Sequence, residues 1–358
     1  MTQDLRAGVA GPSASGIGSL PGSDMPAAIR LVFDGLGDAP GVPYLPELPA
    51  RGVGADMAGR GLALLVDLVA ELAPSGWRVA DHPGRDHGRA TSHLRRDLDQ
   101  LEEQTQGYAG PLKVQAVGPW TLAATVELKH GDKFLADQGA CRDLAESLAE
   151  GLALHLAELR RRVPGARLVL QLDEPALPGV LRGSVPTASG FGALRAVDES
   201  VARQTLRQVI DVVGRIKTGG ADEAGGTGEA GPVPVVLHCC APGVPLATLR
   251  DAGASAIALD WSLLTTRQDE ALAELIEAGV GIYAGVVPSL DPASAVPLKY
   301  QDVVDQILAL RRIGLSARQL AAAVTVTPSC GMAGASPQWA ARAQRLCLDA
   351  ARALTDVD

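Results

Sequence analysis

The chain has 358 residues, 47% of them hydrophobic but only 3% aromatic, and a formal charge of −9 from 32 basic and 41 acidic side chains. That length exceeds an ordinary domain yet suits a large α/β barrel folding as one unit, with Leu, Val, Ile and Ala left to pack it. The acidic balance and the lack of a dense basic run argue against a nucleic-acid footprint, and no apolar run is long enough to span a membrane.

The opening stretch MTQDLRAGVAGPSASG is small and polar, without the charged-then-apolar order of a signal peptide. Residues 1–14 are expected to be flexible. The first short strand is expected at 16–19, in IGSLPG. A Pro-rich connection, GLGDAPGVPYLPELPARGVGADM, leads to a helical run over 58–73 and a second strand, GWRVA, at 76–80. His82, Arg85 and His87 follow it as a polar loop. The third strand is LKVQAV (112–117), with Lys113 expected near its lower rim. A helix over 141–162 ends in three arginines, which suit a helix C-terminus, and ARLVLQLDEP follows as the fourth strand. Residues 199–216 read as a helix. The stretch 218–232 is almost pure Gly, Ala, Glu and Thr and is expected to be a flexible loop. VPVVLHC, SAIALD, VGIYAGV and AAAVTVTPS supply strands five to eight, each after a helical segment, and a last helix covers 337–354. Eight βα units predict one closed (β/α)8 TIM barrel over 1–358, in the α/β class. An open doubly wound sheet lacks its Gly-rich dinucleotide fingerprint here.

Chemistry in such a barrel gathers at the C-terminal ends of the strands. Those ends carry Ser19, Asp173 with Glu174, His238 with Cys240, Asp260 and Cys330. His238 and Cys240 share one side of an extended segment; with Cys330 they offer one imidazole and two thiolates, a zinc-like set with a fourth position free. Cys239 alternates to the other face and reads as packing, as do Cys141 and Cys347. Five scattered cysteines argue against a disulfide framework and for a reducing cytoplasm. Asp260 reads equally as a metal ligand, a hydrogen-bonding neighbour of the metal or a helix cap. One of Asp173 and Glu174 can face the pocket, to bind an ammonium group or hold a proton. Ser19 can present its hydroxyl to a carboxylate or simply make a turn. Trp120 either covers a ligand or seals the barrel mouth.

Taken together, IGSLPG, PELPARGVGADM, VGPWTL, QLDEPALP, LHCC and TPSCGM resemble the catalytic barrel of cobalamin-independent methionine synthase. That family shares a superfamily with uroporphyrinogen decarboxylase and the corrinoid:thiol methyltransferases. The resemblance implies zinc held by His238, Cys240, Asp260 and Cys330. It implies a homocysteine site in which Ser19 contacts the carboxylate and Asp173 the amino group, with Glu47 as a second anion; Trp120, a substrate-binding candidate from its place after the third strand, is displaced in register from the family's tryptophan there. Asp173, His238, Cys240 and Cys330 are then the expected catalytic residues. Asp260 stands where the family usually has Glu. The family's histidine after the seventh strand is missing from Ala284-Gly285-Val286-Val287-Pro288-Ser289, and so is its arginine. The family's additional N-terminal barrel has no counterpart in this sequence.

The expected activity is therefore zinc-dependent methyl transfer to a small thiol, homocysteine first, from methyltetrahydrofolate or a methylcorrinoid. The alternatives are a corrinoid-linked methyltransferase for another thiol, a decarboxylase-like lyase, and a non-catalytic zinc or amino-acid-binding barrel. A lyase for acidic tetrapyrroles fits the −9 charge poorly.

Overall fold

The computed structural model describes residues 11–217, 231–293 and 297–357. The expected flexible stretches lie largely outside these, at 1–10 and 218–230. Residues 13 and 14 of the first stretch, however, belong to a strand, and Lys217 and Pro232 pair in a bridge at the base of the second.

Eight parallel strands form the barrel wall: β1 (Ser13–Ser15), β2 (Gly41–Val42), β5 (Pro111–Val117), β6 (Arg167–Asp173), β7 (Val235–Cys239), β8 (Ala256–Asp260), β9 (Gly281–Val287) and β10 (Val324–Pro328). Their order around the sheet is β2-β1-β10-β9-β8-β7-β6-β5. The ring closes through one bridge beyond the end of β2. Lys113 N donates to Pro43 O (2.9 Å) and Leu45 N donates to Lys113 O (3.1 Å). Proline has no N–H to give a ladder, so Pro40, Pro43 and Pro46 hold β2 to two residues. This barrel strand lies inside the Pro-rich stretch expected to be only a connection.

The expected helix over 58–73 is half wrong. Its first part is α2 (Met57–Leu62), but Val69–Ala73 forms β3, paired antiparallel with β4 (Gly76–Ala80) across a Pro74-Ser75 turn. GWRVA is thus the second arm of a hairpin outside the barrel, not a barrel strand. Backbone bonds tie the hairpin to Glu127, through Val79 N to Glu127 O and Glu127 N to Trp77 O (both 2.9 Å). Arg78 pairs with the Glu127 carboxylate at 2.6 Å. Arg85 and His87 open α3 (Arg85–Gln104) instead of lying in a loop.

Helices α1 (Met25–Leu36), α3, α5 (Gln138–Arg162), α7 (Glu199–Val213), α9 (Asp269–Glu277), α10 (Tyr300–Leu308) and α12 (Pro337–Thr355) surround the sheet. Short helices α4 (Pro119–Thr125), α6 (Leu177–Arg182), α8 (Leu246–Asp251) and α11 (Ala317–Ala323) complete the layer. Side-chain N-caps start three of the long ones: Asp24 for α1, Asp137 for α5 and Ser336 for α12. Most of the apolar core lies between sheet and helices. The barrel interior holds a small cluster of Ile17, Val169, Val236, Ala256, Ala258 and Tyr283, and otherwise polar residues. Among the described residues, no helix is long and apolar enough to cross a membrane.

Gly16 sits where β1 runs into the IGS turn, and a Cβ there would lie 2.3 Å from the Tyr44 ring, which is fully buried. Gly16→Ala should therefore cost about 1–3 kcal/mol of stability by overpacking, measured by urea denaturation; an unchanged midpoint would contradict this packing.

Candidate metal centre

His238 is the fourth residue of β7 and points into the barrel, 4% exposed; Cys239 turns to the outer face and is fully buried. Cys240 follows at the strand end. Cys330 arrives from the opposite side, two residues beyond β10, whose register shifts between Thr327 and Pro328. Ser329 N donates to Val287 O (2.8 Å) and Met332 N to Ser19 O (2.8 Å), so the Cys330 turn is pinned between β9 and the IGS turn. Gly331 packs closely here, so that a Cβ would meet Ser19 Oγ at 2.1 Å and the hydroxyl would have to turn aside. The ligand atoms of His238, Cys240 and Cys330 all lie within 4.8 Å of one another. The two sulfurs are 3.0 Å apart and all five cysteines are free.

His238 Nδ1 is 2.7 Å from Asp173 Oδ1, whereas its Nε2 is buried without a hydrogen-bond partner. A metal-ligating histidine characteristically gives its other ring nitrogen to a carboxylate, which orients the ring. Nε2 and two thiols are a nitrogen–sulfur donor set suited to zinc, with room for a fourth ligand. The residues present fit that metal.

The electrostatics agree with a cluster of ligands. Burial opposes the charged form of His238, but the Asp173 hydrogen bond and the adjacent Cys330 sulfur outweigh it and raise its pKa to about 9. The Cys240 thiol, donating to Cys330, pulls that thiol down to about 5 against burial, and His238 assists. Cys240 is pushed far up, first by that bond and then by burial. One proton is thus shared between the two sulfurs, and the pair as a whole carries one thiolate.

Asp260 does not join the cluster. It is the N-cap of the turn after β8, its Oδ1 accepting from Ser262 N (2.9 Å) and Ser262 Oγ (2.7 Å). Of the three roles open to it, the structure shows the cap. Trp120 is also displaced from the expected role. Its indole is 2% exposed and donates to Ala202 O on α7 (3.1 Å), so it packs the helix layer and has no free face for a ligand. Glu174 turns away from the mouth and accepts from Trp120 N, Thr121 N and Thr121 Oγ1, fixing the start of α4. Burial raises its pKa to about 7 in spite of these bonds.

Ser19 and Glu47 are brought together by a parallel bridge, Glu47 N donating to Gly18 O (3.1 Å) and Leu20 N to Glu47 O (2.9 Å). The Glu47 carboxylate accepts from Arg60 Nε (3.1 Å). Arg60 in turn shares Asp97 with Arg51, at 2.6 Å from each. Burial raises the Glu47 pKa against the pull of Arg60. Asp173, expected to meet an amino group, gives Oδ1 to His238 and to Gln171 Nε2 (2.7 Å each). Among the described residues no hydrogen bond reaches its Oδ2.

Lys113 lies elsewhere than expected, and Gln115 and Gln171 join the site without having been expected there. Lys113 is not at the lower rim but fully buried in the interior, its Nζ bonded to Ile17 O (2.9 Å) and Gln171 Oε1 (2.8 Å). Gln115 donates to Leu45 O (2.7 Å) and leaves Oε1 buried without a partner. The available signal was period-two polarity in buried strands: Lys113 with Gln115 on β5, Gln171 with Asp173 on β6.

The molecule is thus a (β/α)8 barrel with a His–Cys–Cys cluster, capable of holding a metal, at its C-terminal mouth. The same fold occurs in a B12-independent methionine synthase from Shewanella sp. W3-18-1, solved in complex with selenomethionine, with a TM-score of 0.55 and 15% identity over 96% of this chain and 98% of that one. The carboxyl transferase domain of Rhizobium etli pyruvate carboxylase covers 72% of this chain, and this chain 43% of it, at 15% identity, but its TM-score of 0.26 is too low to argue a shared fold. Comparison with family models and with curated proteins finds no match.

In metal-free protein at about pH 6, iodoacetamide should label the Cys240–Cys330 pair ahead of the buried cysteines, because the thiolate shared by its two sulfurs is the reactive form. Peptide mass mapping reads this out; equal labelling of buried Cys141 or Cys347 at pH 6 would count against the thiolate assignment. Asp260→Ala should cost about 1 kcal/mol as a lost cap while metal stoichiometry by elemental analysis stays unchanged.

Proposed function

We propose that this chain is a zinc-dependent methyltransferase acting on the thiol of an amino acid, homocysteine in the first place, to form methionine. The observation that carries this reading is the convergence of His238, Cys240 and Cys330 at a barrel mouth, with His238 Nε2 buried and unpartnered. The shared fold with a B12-independent methionine synthase crystallised with selenomethionine supports it. His238 Nε2, Cys240 Sγ and Cys330 Sγ would hold zinc, which at its open position makes a bound thiol a thiolate at neutral pH.

The chain's own residues supply binding and orientation. Ser19, its hydroxyl beside Gly331, would take the acceptor's carboxylate; Asp173 through Oδ2 and Glu47 would take its ammonium group. Held at both ends, the amino acid can direct its sulfur only toward the cluster, which replaces a bimolecular encounter with a positioned one. The sulfur then attacks the methyl carbon in line as the bond from that carbon to the donor breaks. The five unpaired cysteines suit a reducing compartment, and we place the reaction in the cytoplasm.

The donor is methyltetrahydrofolate or a methylcorrinoid, and one feature favours the second. A folate amine leaving group needs a proton, and the stretch 284–289 at the end of β9 carries no titratable side chain. Gly285 there packs against Leu259 O and Ser329 Cα, at 2.5 and 2.7 Å from a would-be Cβ, so position 285 itself cannot take a side chain without backbone movement. A cobalt leaving group needs no proton.

The test is zinc-loaded protein with homocysteine and each donor in turn, with methionine measured by mass spectrometry. Cys240→Ser should lose zinc and more than about 100-fold in rate, beyond the roughly 10–100-fold typical of outer-sphere changes. Full methyl transfer by a zinc-free Cys240→Ser protein would refute the reading.

A further inference from the structure

Lys113 has no exposed surface and is not one of the ligands, yet it begins an unbroken run of hydrogen bonds that ends at His238. An ammonium nitrogen only donates. Its contact with Gln171 at 2.8 Å therefore fixes the amide oxygen on the Lys113 side. The amide nitrogen is left facing the other way, where Nε2 gives one N–H to Ile17 O (2.9 Å) and the other to Asp173 Oδ1 (2.7 Å). An ionised carboxylate oxygen can only accept, so in the 2.7 Å contact of Oδ1 with His238 the hydrogen lies on Nδ1, while the Gln171 N–H on the same oxygen holds the carboxylate in place. In the neutral ring that a metal requires, with Nδ1 as the N–H, the lone pair falls on Nε2, the buried atom without a partner beside the two sulfurs.

We propose that Lys113 and Gln171 are positioning residues for the metal centre: they hold the Asp173 carboxylate where its Oδ1 takes the Nδ1 hydrogen of His238, and thereby keep Nε2 as the metal-binding nitrogen. This rests on the reading of the cluster as a metal site. Ile17 O accepts from both residues, so the same pair also anchors the turn that carries Ser19. Metal-binding and acceptor-binding halves of the mouth thus share one internal support. A mere polar plug would need no particular polarity, and that difference is open to measurement.

Three readouts on the full-length protein test this: zinc affinity by competition with a chromophoric chelator, the visible spectrum of the cobalt(II)-loaded form, and nitrogen NMR of 15N-histidine-labelled, zinc-loaded protein. Wild type should show Nε2 coordinated and a hydrogen on Nδ1. Lys113→Met and Gln171→Leu should each weaken zinc binding by roughly tenfold and shift the cobalt bands. Gln171→Glu preserves a partner for Lys113 but turns an acceptor toward Asp173, and should weaken binding at least as much as Gln171→Leu. In an Asp173→Ala background neither Lys113→Met nor Gln171→Leu should have any further effect, because the series is already cut. Should Lys113→Met fail to fold, Lys113→Gln and the two Gln171 variants carry the same test.

Three results would overturn the inference: coordination through Nδ1, folded variants with unaltered zinc affinity, or a loss that persists in full in the Asp173→Ala background. The outcomes also separate it from the proposed reaction. Protein that binds zinc through Nε2 in the predicted manner but methylates no thiol leaves the inference standing and removes the reaction. Protein that methylates homocysteine indifferent to Lys113 and Gln171 removes the inference alone. Wild type that binds no zinc removes both.

Discussion

A lysine amine enclosed within a barrel cannot be hydrated, and burying it without partners would cost several kcal/mol. For Lys113 that cost is reduced by two oxygens held ready for it, a main-chain carbonyl from the turn after β1 and an amide from β6. Burial still depresses its pKa to about 7, against the attraction of Asp173 and Glu47. The stability linked to this group is thus greatest at high pH. The full penalty applies below about 7 and fades as pH rises toward the ordinary lysine value, because the unfolded chain holds the proton longer than the folded one. The interior must keep its carbonyl and amide in place under that constraint, and the strands that carry them keep their register with it.

A second buried network works from outside the wall. Arg51, Asp97 and Arg60 connect the turn after β2 to α3 and end on Glu47. Paired arginine and carboxylate groups of this kind are weak stabilisers but severe in their demand for completeness, since removing one leaves another charge uncompensated. The network secures the segment 43–47, where regular pairing is scarce and only a few backbone bonds close the barrel. Side-chain charge thus does here what a longer ladder does elsewhere around the ring.

The sequence made the later barrel strands legible because their β-branched runs alternate with long helices, as in LVLQLD and VVLHC. The cluster was legible too: His238, Cys240 and Cys330 stand at strand ends and meet as expected. The early units were harder. β2 hides among prolines that suppress its ladder, and LVAELA fits a helix face as well as the hairpin arm it forms. Asp260 shows why a residue type at a strand end is not yet a role, since Ser262, two residues on, offers both N–H and hydroxyl and claims the carboxylate. For Trp120 the deciding partner, Ala202, lies 82 residues away, beyond the reach of any local pattern. Lys113 was misplaced because strand position alone does not tell how far a long side chain travels inward.

The turn bearing Cys330 has one further consequence. It is fastened to the rest of the mouth by two main-chain bonds, one to β9 and one to Ser19, with a glycine pressed against the serine hydroxyl. Pulling that turn away from the mouth would therefore break main-chain bonds at two separate places, so the sulfur it carries is held by the barrel wall and by the Ser19 turn at once.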